Sequence, residues 1–120
     1  MLDLKATKKV TIGENQYEIG KVPMRVYGLT QTGLVNASTS LDVETAVVNT
    51  AYDFIPYYLV TATVGKDKMP APVTVPEWGG VMVRKCDDQW VSEMIPAEDA
   101  AQILMDGQEF NTVQVEDSKN

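Results

Sequence analysis

The segment KKVTIGENQYEIGKV, residues 8–22, constrains the fold of this chain more than any other. Val10 and Ile12, then Tyr17 and Ile19, alternate with polar neighbours on either side of Gly13-Glu14-Asn15-Gln16. Alternation of this kind puts every second side chain on one face, and the tetrapeptide between supplies the reversal. Two half-buried strands joined by a short turn are therefore expected. With 120 residues, 44% of them hydrophobic, the hairpin belongs to a chain able to bury a single core of modest size.

Beyond it, PMRVYGLTQTGLVNASTS is polar, contains glycine and shows no clear period, so it reads mostly as loop, with Arg25 to Leu29 able to extend as a strand. Thr39 or Ser40 then offers an N-cap, and Asp42 and Glu44 fall in a first turn, where the helix dipole favours anions. Leu41, Val48 and Ile55 lie seven apart and share a side with Val47, Ala51 and Phe54. That stripe predicts a helix running to Pro56, whose ring opposes continuation. Tyr57 to Val64, YYLVTATV, is short, aromatic and β-branched, as a central strand would be. Prolines at 70, 72 and 76 deny GKDKMPAPVTVPEWGG regular ladder pairing, so it reads as an extended surface connection closed by Gly79-Gly80.

Val81 and Val83 alternate with Met82 and Arg84, Asp87-Asp88-Gln89 supplies turn residues, and Trp90, Val91, Met94 and Ile95 resume an extended run, which predicts a second hairpin. Pro96, Glu98 and Asp99 suit a helix start, and Ala100, Ile103 and Leu104 form a stripe ending near Gly107. EFNTVQVED reads as a last edge strand. The expected architecture is α+β: one small domain over residues 1–117, an N-terminal β-hairpin, a mostly antiparallel sheet of about six short strands, two helices, and residues 118–120 as a short tail.

The chain has no histidine and one cysteine. The commonest general base, the commonest zinc ligand and the usual partner of a serine or cysteine nucleophile are all missing, and no structural zinc site or internal disulfide can be assembled. No run of about 18 apolar residues is present to cross a bilayer, and Met1 to Lys9 lacks the apolar stretch of a secretory leader. A cytoplasmic location, in a bacterial host or in a virion, is the expectation. The triplet Asn36-Ala37-Ser38 fits a glycosylation acceptor, which has meaning only in a secreted eukaryotic chain.

Charge is unevenly placed. Residues 1–27 hold five Lys/Arg against three acids, and residues 28–86 hold four against five. Residues 87–120 hold nine acids against Lys119 alone, or -8 of a net -7. Such a half repels phosphate backbones, so direct nucleic-acid binding is not expected. It serves either as a solvated surface or as a patch that docks a basic partner.

Individual candidates are weak as chemistry. Cys86-Asp87-Asp88 sets carboxylates beside a thiol, which disfavours the thiolate nucleophile. Asp87, Asp88 and Glu93 match no cation-loop spacing, and no metal or other cofactor is expected. Trp78 and Trp90 could stack a ligand but read rather as caps on the core on either side of one strand, Tyr52, Tyr57 and Tyr58 as core or interface aromatics, and Met69, Met82, Met94 and Met105 as gap-fillers rather than a recognition stripe. Lys66-Asp67-Lys68 has no glycine-rich phosphate motif around it and reads as a solvated loop.

Two families come into view. VTIGENQYEIGKVPMR followed by LDVETAVVNTAYDFIPYYL resembles the tail assembly chaperones of tailed phages over about 55 residues, which implies transient binding of tail components and no catalysis. The segment YYLVTA to VPEWGGVMVRK is similar to the closing part of restriction-endonuclease-like nuclease domains. Their chemistry requires an Asp and a Glu-x-Lys upstream to hold Mg²⁺. No acid lies between Glu18 and Asp42 and no Glu-x-Lys occurs, so an active nuclease of that type is excluded.

The function expected is thus non-enzymatic protein–protein interaction: a small phage or mobile-element protein that forms, or assists assembly of, a larger complex, its partner another protein or copies of itself. Lys8, Lys9, Lys21 and Arg25 of the basic end would face Asp87, Asp88, Glu93, Glu98 and Asp99 of the acidic half. The alternative is an acidic inhibitor that blocks a nucleic-acid-binding host protein.

Overall fold

The computed structural model describes the backbone of residues 6–119 and the side chains of residues 6–112. It is α+β. Strands β1 (Thr7–Ile12) and β2 (Asn15–Gly20) form the N-terminal hairpin, followed by helices α1 (Met24–Ser38) and α2 (Val43–Tyr58). Strands β3 (Leu59–Val64), β4 (Asp67–Lys68), β5 (Val73–Glu77) and β6 (Val81–Lys85) come next, then helices α3 (Asp88–Met94) and α4 (Ala97–Lys119). The strands make two antiparallel sheets, β1-β2-β3-β4 and β5-β6.

The first hairpin reverses at Gly13, whose φ of +60° suits glycine. Val10 pairs with Tyr17 and Ile12 with Asn15. Strand β3 is interior to the four-stranded sheet, as its composition predicts, joining β2 on one side and β4 on the other, but it starts at Leu59 because Tyr57 and Tyr58 belong to the end of α2. Alternation, with a register shift between β2 and β3 at Glu18–Ile19, divides that sheet into two faces. Lys9, Thr11, Gln16, Glu18, Thr61, Thr63 and Lys68 line a concavity of about 470 Å³ on its polar face. Tyr17, Ile19, Leu59 and Ala62 enter a core shared with Val26, Ala51, Ile55, Tyr58, Val83, Val91, Ile103 and Leu104.

The described residues form four helices where two are expected, and each difference has a local cause. Helix α1 occupies the segment read as loop. Its buried face is Val26, Thr30 and Ala37, with Gly33 against Thr50 and Phe54 of α2, so the stripe that packs is small and partly polar and carries little apolar signal. Helix α3 replaces the second arm of the expected second hairpin. Asp87 accepts hydrogen bonds from the backbone N–H of Gln89 (2.9 Å) and Trp90 (3.1 Å). It thereby uses for an N-cap the chemistry that also favours turns.

A second hairpin does form, one strand earlier than expected. Strand β5 pairs along β6 from Val73–Lys85 to Glu77–Val81, with the turn at Trp78 (φ +41°), Gly79 and Gly80. Pro76 is tolerated because each strand of a two-stranded sheet has a free edge, on which a missing N–H costs no ladder bond.

In α2 the cap is Asp42, which accepts from the N–H of Thr45 at 3.1 Å, rather than Thr39 or Ser40. Pro56 lies within the last turn, which continues to Tyr58. Leu41 precedes the helix and is fully exposed, so it does not share the buried stripe. Helix α4 does not stop at Gly107, and no edge strand follows it. The glycine lets the helix cross the Tyr58 ring, since a Cβ there would lie 2.6 Å from Tyr58 Cδ2.

Candidate interaction surfaces

The charged residues expected to form an interface separate into three kinds. Two are internal fasteners. Asp99 is buried, accepting hydrogen bonds from the Tyr17 hydroxyl (2.6 Å) and Asn15 Nδ2 (2.9 Å), so it corrects the expectation of a surface carboxylate. Burial, reinforced by the bond to Asp99, raises the Tyr17 phenol far above its ordinary value. Lys21 donates to the Phe110 carbonyl at 2.6 Å and sits 3.9 Å from that ring's centroid. Two more are exposed yet locally committed: Asp87 caps α3, and Asp88 accepts an ion pair from Lys85 at 3.0 Å. The remainder have open charges: Lys9, Arg25, Glu93 and Glu98 are exposed, and Lys8 is half-buried. Gln89 Nε2 donates to Glu93 at 3.1 Å.

Cys86 is buried, and its thiol donates to the Leu59 carbonyl at 3.1 Å. Burial, with Asp88 and Asp87 adding and Arg84 opposing, pushes it up to about 12, so the thiolate is scarce at neutral pH. Asp87, Asp88 and Glu93 gather no cation site, and among the described residues no three His, Cys, Asp or Glu side chains do so. The aromatics divide between core and surface layer: Tyr57 and Tyr58 are buried, while Tyr52, Trp78 and Trp90 are half-buried. Tyr57 and Trp78 meet at 5.1 Å between ring centroids, and Tyr52 donates to the Ile95 carbonyl at 2.6 Å. Of the four methionines read as gap-fillers, Met69 fills the core, whereas Met82 and Met105 are exposed.

An apolar surface lies open between α2 and α4. Val47 and Val48 of α2 and Ala97 and Ala101 of α4 floor a groove of about 620 Å³, rimmed by Glu44 and Glu98. The helical repeat extends it, because Val43 precedes Val47 by four residues and Met105 follows Ala101 by four. These two side chains are 44% and 49% exposed. Apart from Glu98, this groove is not legible in the sequence, because it forms only when two helices some fifty residues apart lie side by side. Val47 and Val48 look like core in α2's own stripe, and Ala97 and Ala101 carry little hydrophobic weight.

No helix among the described residues is long and apolar enough to cross a membrane. Compared with known proteins, the chain matches no family model, no curated protein and no solved structure.

Proposed function

We propose that this protein acts by binding another protein chain, as a small component or assembly factor of a larger complex, and that the α2–α4 groove is its docking surface. The observation that carries the reading is the groove itself: apolar floor, acidic rim, and Val43 and Met105 held out in solvent. Its charge complements a partner segment that presents apolar side chains flanked by lysine or arginine. A second copy of the chain is the first partner to test, since Lys8 and Lys9 of the hairpin and Arg25 of α1 are basic while the groove carries Glu44 and Glu98. Membership of a phage-type particle, as a virion or tail component or a tail assembly factor, is the setting in which the resemblance of the N-terminal half places this role.

The inhibitor alternative draws less support. Burial of Asp99 and the pairing of Asp88 with Lys85 leave fewer free carboxylates for a phosphate-like display.

The test is solution mass by size-exclusion chromatography with light scattering, at low and high salt, on the native chain and on Ala101→Arg. An oligomer that loosens in salt and is lost in Ala101→Arg is the expected result. A monomer at every concentration and salt overturns the self-assembly form. Cross-linking in the native host, with Ala101→Arg as control, then decides whether the groove takes another protein.

A further inference from the structure

A different cleft, of about 310 Å³, opens on the far side of β6, between it and the segment that links β2 to α1. Lys21, Pro23, Tyr57, Pro72, Thr74, Met82 and Arg84 line it. Arg84 is the centre of interest. Its Nη2 makes one long hydrogen bond, to the Lys21 carbonyl at 3.4 Å, and its Nε is buried with no partner. Among the described residues no carboxylate pairs with it. The ion pairs there belong to Lys85, with Asp88 at 3.0 Å and Glu77 at 3.7 Å. The first turn of α1, which begins just after Pro23, holds no acid either.

A guanidinium kept only for packing normally spends its five N–H groups on protein acceptors. This one does not, yet the fold makes room for it. A Cβ on Gly20 would lie 2.2 Å from Arg84 Nη2 and 2.8 Å from Val60 Cγ2, so residue 20 has no side chain where the guanidinium lies. Gly20 is not among the positive-φ glycines, so space rather than backbone conformation asks for glycine here. Thr74 pairs directly with Arg84 across the two-stranded sheet and places a hydroxyl on the same wall. The result is one under-bonded guanidinium with the Thr74 hydroxyl beside it among largely apolar walls, with no acid in the lining, on a chain of net charge -7; the Lys21 ammonium is already held by Phe110.

We propose that this cleft binds a carboxylate, with Arg84 as the fork that receives its two oxygens and Thr74 as a further donor. A carboxylate suits the planar guanidinium edge and the apolar surroundings, through which an aliphatic stem can pass along Tyr57, Pro72 and Met82. Phosphate fits less well, because the two prolines supply no N–H and its greater charge needs more donors than the cleft presents. The site is independent of the α2–α4 groove, and its failure leaves that docking reading untouched.

The experiment follows the side-chain Nε–H resonances of the arginines by NMR during titration with sodium succinate, with the capped tripeptide acetyl-Ala-Glu-Ala-amide, and with inorganic phosphate at matched ionic strength. Saturable movement of the Arg84 resonance with succinate or the tripeptide is expected. The tighter of the two identifies the carboxylate as that of a free acid or of a protein side chain. Arg84→Lys keeps the charge but loses the fork and should weaken binding about tenfold. Thr74→Val, at an exposed position, should weaken it several-fold with the fold intact. No saturable shift with either carboxylate, or phosphate binding as tightly as both, overturns the proposal. So does unchanged affinity in Arg84→Lys.

Discussion

Around α4 and the first hairpin, polar side chains are buried and bonded across long sequence separations; beside β6 and α3, Asp88 and Glu77 are solvent-accessible and meet on a single lysine. On the first side Asp99 holds Tyr17 and Asn15. Asn111 takes the N–H of Val22 at 3.0 Å and donates to the Gly107 carbonyl at 2.8 Å. The Tyr58 hydroxyl meets Gln108 and lies 3.0 Å from Thr30. On the second side Lys85 is shared between Asp88 and Glu77 and leans over Tyr57 at 5.3 Å from the ring centroid. Similar residues with similar charges thus carry unequal energies, because water competes for the second set and not for the first.

The largest effect that tests this contrast is at Asp99. Asp99→Ala leaves the Tyr17 hydroxyl and the Asn15 amide without their acceptor in a closed site, and should cost about 3 kcal/mol. The neighbouring Glu98→Ala, at an exposed position, should stay within roughly 0.5 kcal/mol. Urea unfolding of the two variants checks the pair. Equal midpoints would mean that burial does not separate these adjacent acids.

Next comes Gly107. Alanine is the better helix former, by about 1 kcal/mol, so in an exposed helix Gly107→Ala would stabilise. Here its Cβ would enter the Tyr58 ring at 2.6 Å, and because Tyr58 is buried and held on both sides, the ring cannot easily yield. A net loss of about 1–3 kcal/mol is expected, measured by the shift in thermal midpoint.

These two positions also mark how far the sequence can be read. The first hairpin and β3 are legible because alternation and β-branched content are local properties. The fate of Asp99 is not, since an acid in a helix's first turn looks the same whether it faces water or a tyrosine 82 residues away. Gly107 looks like a helix stop until the ring beneath it is known. Asp87-Asp88-Gln89 signals a turn and an N-cap equally well, and only packing of Val91 and Ile95 into the core selects the helix. At the candidate sites the individual charges are visible, but neither the groove nor the orphaned Arg84 is, because both are products of elements meeting.

Alkaline pH probes the buried side as a whole. Burial raises the Tyr58 phenol and, with Asp99 behind it, the Tyr17 phenol. Both therefore stay protonated in the fold while the unfolded chain ionises near pH ~10. Above that pH the unfolded state holds fewer protons, so stability is complete below about pH 10 and falls as pH rises, by about 1.4 kcal/mol per pH unit for each such tyrosine. Tyr58→Phe should remove its share of the slope while lowering stability at neutral pH. A stability curve flat from pH 9 to 11 would contradict the assignment of these phenols as closed to solvent.

The smallest effect belongs to the surface side. Lys85 and Asp88 approach to 3.0 Å, but Asp88 is 61% exposed and Lys85 24%. Their attraction works through water, and ordering two flexible side chains offsets part of it. Asp88→Asn should therefore cost no more than about 1 kcal/mol, and that cost should shrink as salt is added, since screening weakens an exposed pair that a buried bond would keep. The Asp99→Ala penalty should persist unchanged over the same salt range. If the Asp88→Asn cost instead exceeded that of Asp99→Ala, or resisted salt, the ion pair on β6 and α3 would be a structural anchor and the contrast between the two sides would fail.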